Sequence, residues 1–214
     1  MRDHAPANFQ TSGCTINDPP EAIGLIDGCF ETAPSVWHKE LLHVMAKGIP
    51  VYGAASLGAL RAAELAPLGM RGVGDIFEAY RRGDITRDDA VMLVHAPAEL
   101  NYRPLTTSLV DAESTLAAME LPPEARRVLQ RIVRTLSFRT RTWSLVLDLY
   151  RQQARCPIDL DLAAFDATPS LKRQDALCLV EVLAGPLLAQ DKSARPPLTT
   201  HYRRLLASAL PMQQ

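Results

Sequence analysis

Two short apolar runs, each ended by a turn and separated by one amphipathic helix, constrain this chain more than any other feature. Residues 22–26 (AIGLI) stop at Asp27-Gly28, and residues 49–53 (IPVYG) run into Ala54-Ala55-Ser56. Between them, VWHKELLHVMAKG places Trp37, Leu41, Val44 and Met45 on one helical stripe, with Lys47-Gly48 as its stop. A second helix, LGALRAAELA, follows Ser56, whose position is that of an N-cap with a hydroxyl able to accept a first-turn amide. A strand-helix-strand-helix unit of about 45 residues is expected to close by a right-handed crossover, which makes the two strands parallel neighbours in one sheet. Asp27 and Ser56 then follow the carboxyl ends of adjacent strands, the edge at which open α/β sheets bind ligands.

The next segment, GVGDIFEAYRRGDI, reads as a glycine-rich turn and a short amphipathic helix. Residues 90–95 (AVMLVH) read as a third buried strand, which would carry His95 to the same edge. Beyond Pro104 apolar residues recur at spacings of three and four, predicting helices over 105–119, 124–138, 141–153 and 171–183. The expected organisation is a flexible lead-in over 1–20, an α/β core over 21–104 and a helical region over 105–214. The expected fold class is α/β, with a short, mostly parallel Rossmann-like sheet flanked by helices and followed by an all-helical C-terminal region.

Composition narrows the function classes. With 47% hydrophobic and 22% charged residues the balance is that of an ordinary globular chain. No apolar run approaches the roughly 20 residues of a membrane helix, and MRDHAPANFQ has no apolar segment of a secretory signal. A cytoplasmic protein without membrane association is expected. A net charge of -1 argues against a general affinity for nucleic acid. Eight arginines against Glu124 and Asp148 over 121–155 read either as a solvated helix surface or as a docking face for an acidic partner. The four cysteines, including Cys29, are scattered without C-x-x-C or finger spacing, so neither a disulfide scaffold nor a structural zinc is expected.

Chemistry concentrates between Asp27 and Glu99. GAASLGALRAAE, residues 53–64, has the strand-turn-helix setting of a nucleophile elbow, although Ala54 breaks the strict G-x-S-x-G pattern. Ser56 is therefore either a nucleophile or only a helix cap, and first-turn amides near Leu57 and Gly58 are candidate oxyanion donors. Arg61 and Glu64 share a helical face, as an organised ion pair or as a weak surface one. His38 falls in the first turn of its helix beside Lys39 and is either a solvated first-turn histidine or, since the helix field favours neutral imidazole, a base able to take a proton from Ser56. Asp27 follows the first strand in a turn, where a carboxylate can orient a histidine, accept a turn hydrogen bond or take part in acid-base work. His95 and Glu99 are four apart, but Pro97 breaks the helix that metal-ligand spacing would need. No Walker loop or G-x-G-x-x-G is present, so neither a nucleotide cofactor nor a metal is expected.

The segments IGLIDGCFETAPSVWHKELL and VYGAASLGALRAAELAPLGMRGVGDIFEAYRRGDITRDDAVMLVHAPAE resemble the TfuA-like family, with I-D-G-x-F, P-x-V-W-H-K-E and G-A-A-S-x-G-A-L-R-A-A-E in the family's order. The resemblance implies a partner of a YcaO enzyme in peptide backbone thioamidation. It implies delivery of sulfur by recruiting a ubiquitin-fold carrier with a C-terminal thiocarboxylate and releasing hydrosulfide. It raises Asp27, His38, Ser56, Arg61 and Glu64 as site residues, with Lys39, His95 and Glu99 nearby as positioning groups. On this reading Ser56 attacks the thiocarboxylate carbon, His38 takes the hydroxyl proton, Asp27 orients His38, and Arg61, held by Glu64, positions the carrier terminus. A noncatalytic adaptor of the YcaO enzyme and a small serine hydrolase of unrelated substrate are the alternatives. Members of the family begin with a further strand, whereas about 20 weakly patterned residues precede Ile23, so a sheet short of one strand is expected.

Overall fold

The computed structural model describes residues 20–26, 36–155 and 157–189. Of the expected lead-in over 1–20, residues 1–19 lie outside the described residues, as do Asp27 and Cys29. Three parallel strands form one sheet in the order β1-β2-β3, with β1 at Ile23–Leu25, β2 at Val51–Gly53 and β3 at Arg71–Gly72. Helix α1 (His38–Ala46) precedes β2, and α2 (Leu57–Leu65) carries the chain from β2 towards β3. Ile23 stands opposite Val51 and Leu25 opposite Gly53, while Gly53 on its other side meets Gly72. Strand periodicity sends successive side chains to opposite faces. Val51 joins Leu41, Met45, Ala59 and Ala62 in the main core, and Tyr52 packs with Leu179 on the other face.

The third strand differs from expectation. Residues 90–95 make no strand: Asp88–Val91 is a 3-10 turn, and His95 meets Pro104 in one isolated antiparallel bridge. Ala90 and Val91 are buried because this turn packs on helix α4 (Leu109–Ala118), so an apolar run arises here from burial without a ladder. The true third strand has only two residues and no apolar pattern by which to recognise it.

The remaining helices are α3 (Asp75–Arg82), α5 (Pro123–Thr135), α6 (Trp143–Gln153), α7 (Leu162–Asp166) and α8 (Leu171–Ala184). Helices α4, α5 and α6 pack in succession, whereas α8 returns to touch α3, α4 and β1. A Cβ on Gly24 would run into the Leu183 side chain, so the glycine in β1 lets α8 lie directly on the sheet. Asp175 of α8 also accepts the first amides of α3, from Asp75 at 3.0 Å and Ile76 at 2.9 Å. It thus caps α3 from a distant part of the chain, and burial pushes its carboxyl above the usual range. This cap ties α3 to α8.

Of the arginines over 121–155, two point inward. Arg126 donates to the carbonyls of Leu116 and Met119 at the end of α4. Arg141, only 1% exposed, donates to Val133, Leu136 and Thr107 carbonyls at 2.8, 2.7 and 3.2 Å. Arg127, Arg134 and Arg151 pair with Glu124, Glu113 and Asp148. The local excess of positive charge is therefore partly internal wiring of helix ends.

Candidate functional site

The turn from β2 into α2 is strapped to the end of β1. Ala54 donates its amide to Leu25 at 3.0 Å, and Ser56 and Gly58 donate theirs to Ile26 at 3.1 and 3.3 Å. Ala55 sits at φ 68°, a left-handed conformation that costs a Cβ-bearing residue roughly 1–3 kcal/mol and persists only when the surroundings hold it. The approach of α2 to the strands is so close that a Cβ at Gly58 would overlap the Leu25 carbonyl, and one at Gly53 would overlap the Gly58 carbonyl. Glycine at both positions is what allows Ser56 to stand at this corner.

Ser56 occupies the N-cap position of α2, but its hydroxyl does not cap the helix. Its backbone (φ -113°, ψ -115°) departs from the extended conformation that aims an N-cap oxygen at the first-turn amides. The hydroxyl donates instead to the Val91 carbonyl, at 3.4 Å, and the residue is 1% exposed. The Gly58 amide, expected as an oxyanion donor, is already given to Ile26.

Ser56 and Ala55 form part of the wall of a cavity of about 380 Å³. His95 also lines it, as do Thr106, Thr107 and Asp111, while Trp143 and Phe165, with ring centroids 4.7 Å apart, supply apolar wall. Asp111 organises the far side. Its carboxylate accepts the Ser108 hydroxyl at 2.8 Å, the Ser170 hydroxyl at 3.0 Å and the Lys172 backbone amide at 3.1 Å, joining the starts of α4 and α8. His95 is exposed and donates Nδ1–H to the Tyr102 carbonyl at 2.8 Å, which puts the lone pair of the neutral ring on Nε2.

The other expected residues lie elsewhere. His38 does not line the cavity. Its Nε2 meets Glu64 Oε2 at 2.7 Å, and the same oxygen accepts Arg61 at 2.6 Å, while Arg61 Nε donates to the Val36 carbonyl at 3.3 Å. The Arg61 side chain is 14% exposed, against 45% for His38 and 37% for Glu64. Glu64 thus holds two basic groups at a partly exposed corner of α1 and α2. Lys39 is beside that corner on α1, and Glu99 is on the exposed 3-10 turn Ala98–Leu100, off the cavity wall. Among the described residues, no three His, Cys, Asp or Glu side chains gather closely enough to hold a metal ion. No helix among them is long and apolar enough to cross a membrane.

The family model for TfuA-like proteins matches residues 27–142, more than half of the 214-residue chain. The chain belongs to the TfuA-like family. No curated protein matches it. The TfuA-like family is associated with YcaO-dependent thioamidation. In this TfuA-like chain the matched stretch carries His38, Ser56, Arg61, Glu64 and His95, but it ends before Phe165, Ser170 and Lys172, which complete the cavity. Sequence reasoning missed this far wall. Only Ser108-Leu109-Val110-Asp111, an S-x-x-D capping pattern, marks any of it, by signalling the start of α4.

Proposed function

We propose that the chain is the sulfur-delivery component of YcaO-dependent peptide backbone thioamidation. It receives a ubiquitin-fold carrier bearing a C-terminal thiocarboxylate and promotes hydrolysis of the carbon–sulfur bond, releasing hydrosulfide to its YcaO partner. One observation carries this reading: Ser56 sits on a strained strand-to-helix turn with its hydroxyl withdrawn from capping and its side chain on a cavity wall. A serine hydroxyl so placed can attack a thioacyl carbon and leave an acyl-serine for water to hydrolyse. His95 is exposed and lines the cavity, and Arg61, Glu64 and His38 are assigned to holding the carrier terminus. An anchored guanidinium still offers N–H donors to a carboxylate or thiocarboxylate. Lys39 is beside the same corner on α1, Glu99 is on the turn beyond His95, and Asp27 follows β1 in the sequence.

The test is hydrosulfide release from a thiocarboxylated ubiquitin-fold carrier. Ser56→Ala is expected to lower it on the order of a thousandfold or more while leaving carrier binding in place. Release that appears only with the YcaO partner, and is unchanged by the substitution, would make the chain a noncatalytic adaptor instead.

A further inference from the structure

The segment from Val94 to Thr106 doubles back on itself, with His95 and Pro104 in an antiparallel bridge. Val94 accepts the Leu105 amide at 2.7 Å and donates its own to the Thr106 hydroxyl at 2.8 Å, and Ala96 donates to the Arg103 carbonyl at 2.9 Å. At the tip, the Leu100 and Tyr102 amides both go to the Pro97 carbonyl, at 3.0 and 3.4 Å, and the Tyr102 carbonyl takes the His95 ring proton at 2.8 Å. Asn101 and Tyr102, at φ 55° and 50°, are two consecutive left-handed residues. Asparagine tolerates that conformation, whereas tyrosine keeps it where its surroundings fix it. This loop therefore holds one shape through its own hydrogen bonds.

That shape displays apolar side chains to solvent. Leu100, Tyr102 and Leu105 are 51%, 64% and 46% exposed, all within six residues of one another. Single exposed apolar residues are ordinary, but several gathered on one braced loop mark an interaction site. The display is continuous with the cavity, because His95, Pro104 and Thr106 of the same segment form part of its wall. Charge contributes little, since over 97–105 Glu99 and Arg103 cancel.

We propose that the loop over residues 97–105 is the docking surface for the folded body of the ubiquitin-fold carrier, whose apolar surface covers Leu100, Tyr102 and Leu105; this rests on the sulfur-delivery reading and deepens it by naming where the carrier sits. The reacting carbon of such a carrier is at the end of its chain, and Ser56 is buried on the cavity wall. The last residues of the carrier must therefore enter the cavity, which brings its body to rest on the surface beside it. A loop already fixed in shape gives up little freedom when it is covered, so burial of its leucines and tyrosine goes largely into affinity. Tyrosine is among the residues that most often carry the energy of an interface. With the loop's charges balanced, the affinity depends weakly on salt.

Binding to the full chain is measured with an intact ubiquitin-fold carrier ending in an ordinary carboxylate, and with a synthetic peptide of that carrier's last residues alone. Wild type is expected to bind the intact carrier at least about thirtyfold more tightly than the peptide, the size of effect a hot-spot contact supplies. In the double variant Leu100→Asp with Tyr102→Asp most of that difference disappears, and aspartate at 102 still accepts the left-handed backbone. Retained peptide binding shows that the variant's cavity is intact. Val180→Asp is the control: Val180, on α8, is 54% exposed and off the cavity wall, and its substitution keeps the wild-type difference. A double variant that binds the intact carrier as wild type does would overturn the proposal, as would an equal loss in Val180→Asp. A double variant that instead loses its YcaO partner, or dissociates a wild-type dimer, would give the loop to that other occupant and overturn it too. Hydrosulfide release from the thiocarboxylated carrier, measured in parallel, separates the two readings. Loop-dependent carrier binding without release by wild type keeps the docking surface and removes the sulfur chemistry. Release by wild type with loop-independent binding does the reverse.

Discussion

Gly58→Ala is expected to destabilise the fold by about 3 kcal/mol or more, the upper end of the range for overpacking. The added Cβ would meet the Leu25 carbonyl and the Ile26 nitrogen, all backbone, and no side-chain rotamer can relieve such an overlap. The only escape is to push α2 away from β1 and β2, which would break the Ser56 and Gly58 amide bonds to Ile26 and move Ser56 off the cavity wall. Gly83→Ala gives the internal comparison. Gly83 has φ +80°, but a Cβ there meets nothing within 4 Å. Its cost is therefore conformational alone, about 1 kcal/mol. Urea unfolding of both variants checks the difference, and a Gly58→Ala midpoint equal to that of Gly83→Ala would contradict the close approach of helix to strand.

Arg141→Met has the second large expected effect. Methionine replaces much of the stem volume and removes the cost of burying a guanidinium, which works in favour of the variant. Against this, the carbonyls of Val133, Leu136 and Thr107 lose their donor together, and the Thr107–Arg141 backbone connection loses its side-chain support. Three under-satisfied carbonyls at roughly 1 kcal/mol or more each outweigh the relief, for a net loss of about 2–4 kcal/mol. Arg127→Ala should leave the unfolding midpoint where it is. The Arg127–Glu124 pair has both side chains 73% exposed, and pairs of that kind contribute little. Two arginines of the same arginine-rich stretch thus differ by their surroundings alone.

That contrast marks where the sequence is legible and where it is not. Strands β1 and β2, helices α1 and α2, and Ser56 at the turn between β2 and α2 follow from apolar runs, periodicity and turn residues, all local signals. The expected strand over 90–95 fails because an apolar run reports burial, and Val91 is buried by α4 instead of by a sheet neighbour. Arg71–Gly72 pairs in the sheet because Met70 and Gly69 bring it back from α2, which is tertiary placement with no periodicity to display. The partner of the Ser56 hydroxyl is hidden for a related reason: its N-cap position is local, but its bond to Val91 depends on a loop thirty-five residues away. Lys172 is less visible still. Nothing around LKRQDAL distinguishes that lysine from any other at the start of a helix, and its place on the cavity wall comes only from α8 folding back against the sheet.

The reading of this chain as a sulfur-delivery partner is tested most directly by reconstituting thioamide formation with a YcaO enzyme, ATP, a peptide substrate and a thiocarboxylated carrier, with and without the chain. Thioamide is expected to form from the carrier only when the chain is present, and to form without it once hydrosulfide is supplied directly. A reaction that still requires the chain when free hydrosulfide is abundant would contradict sulfur delivery and leave activation of the YcaO enzyme as its role.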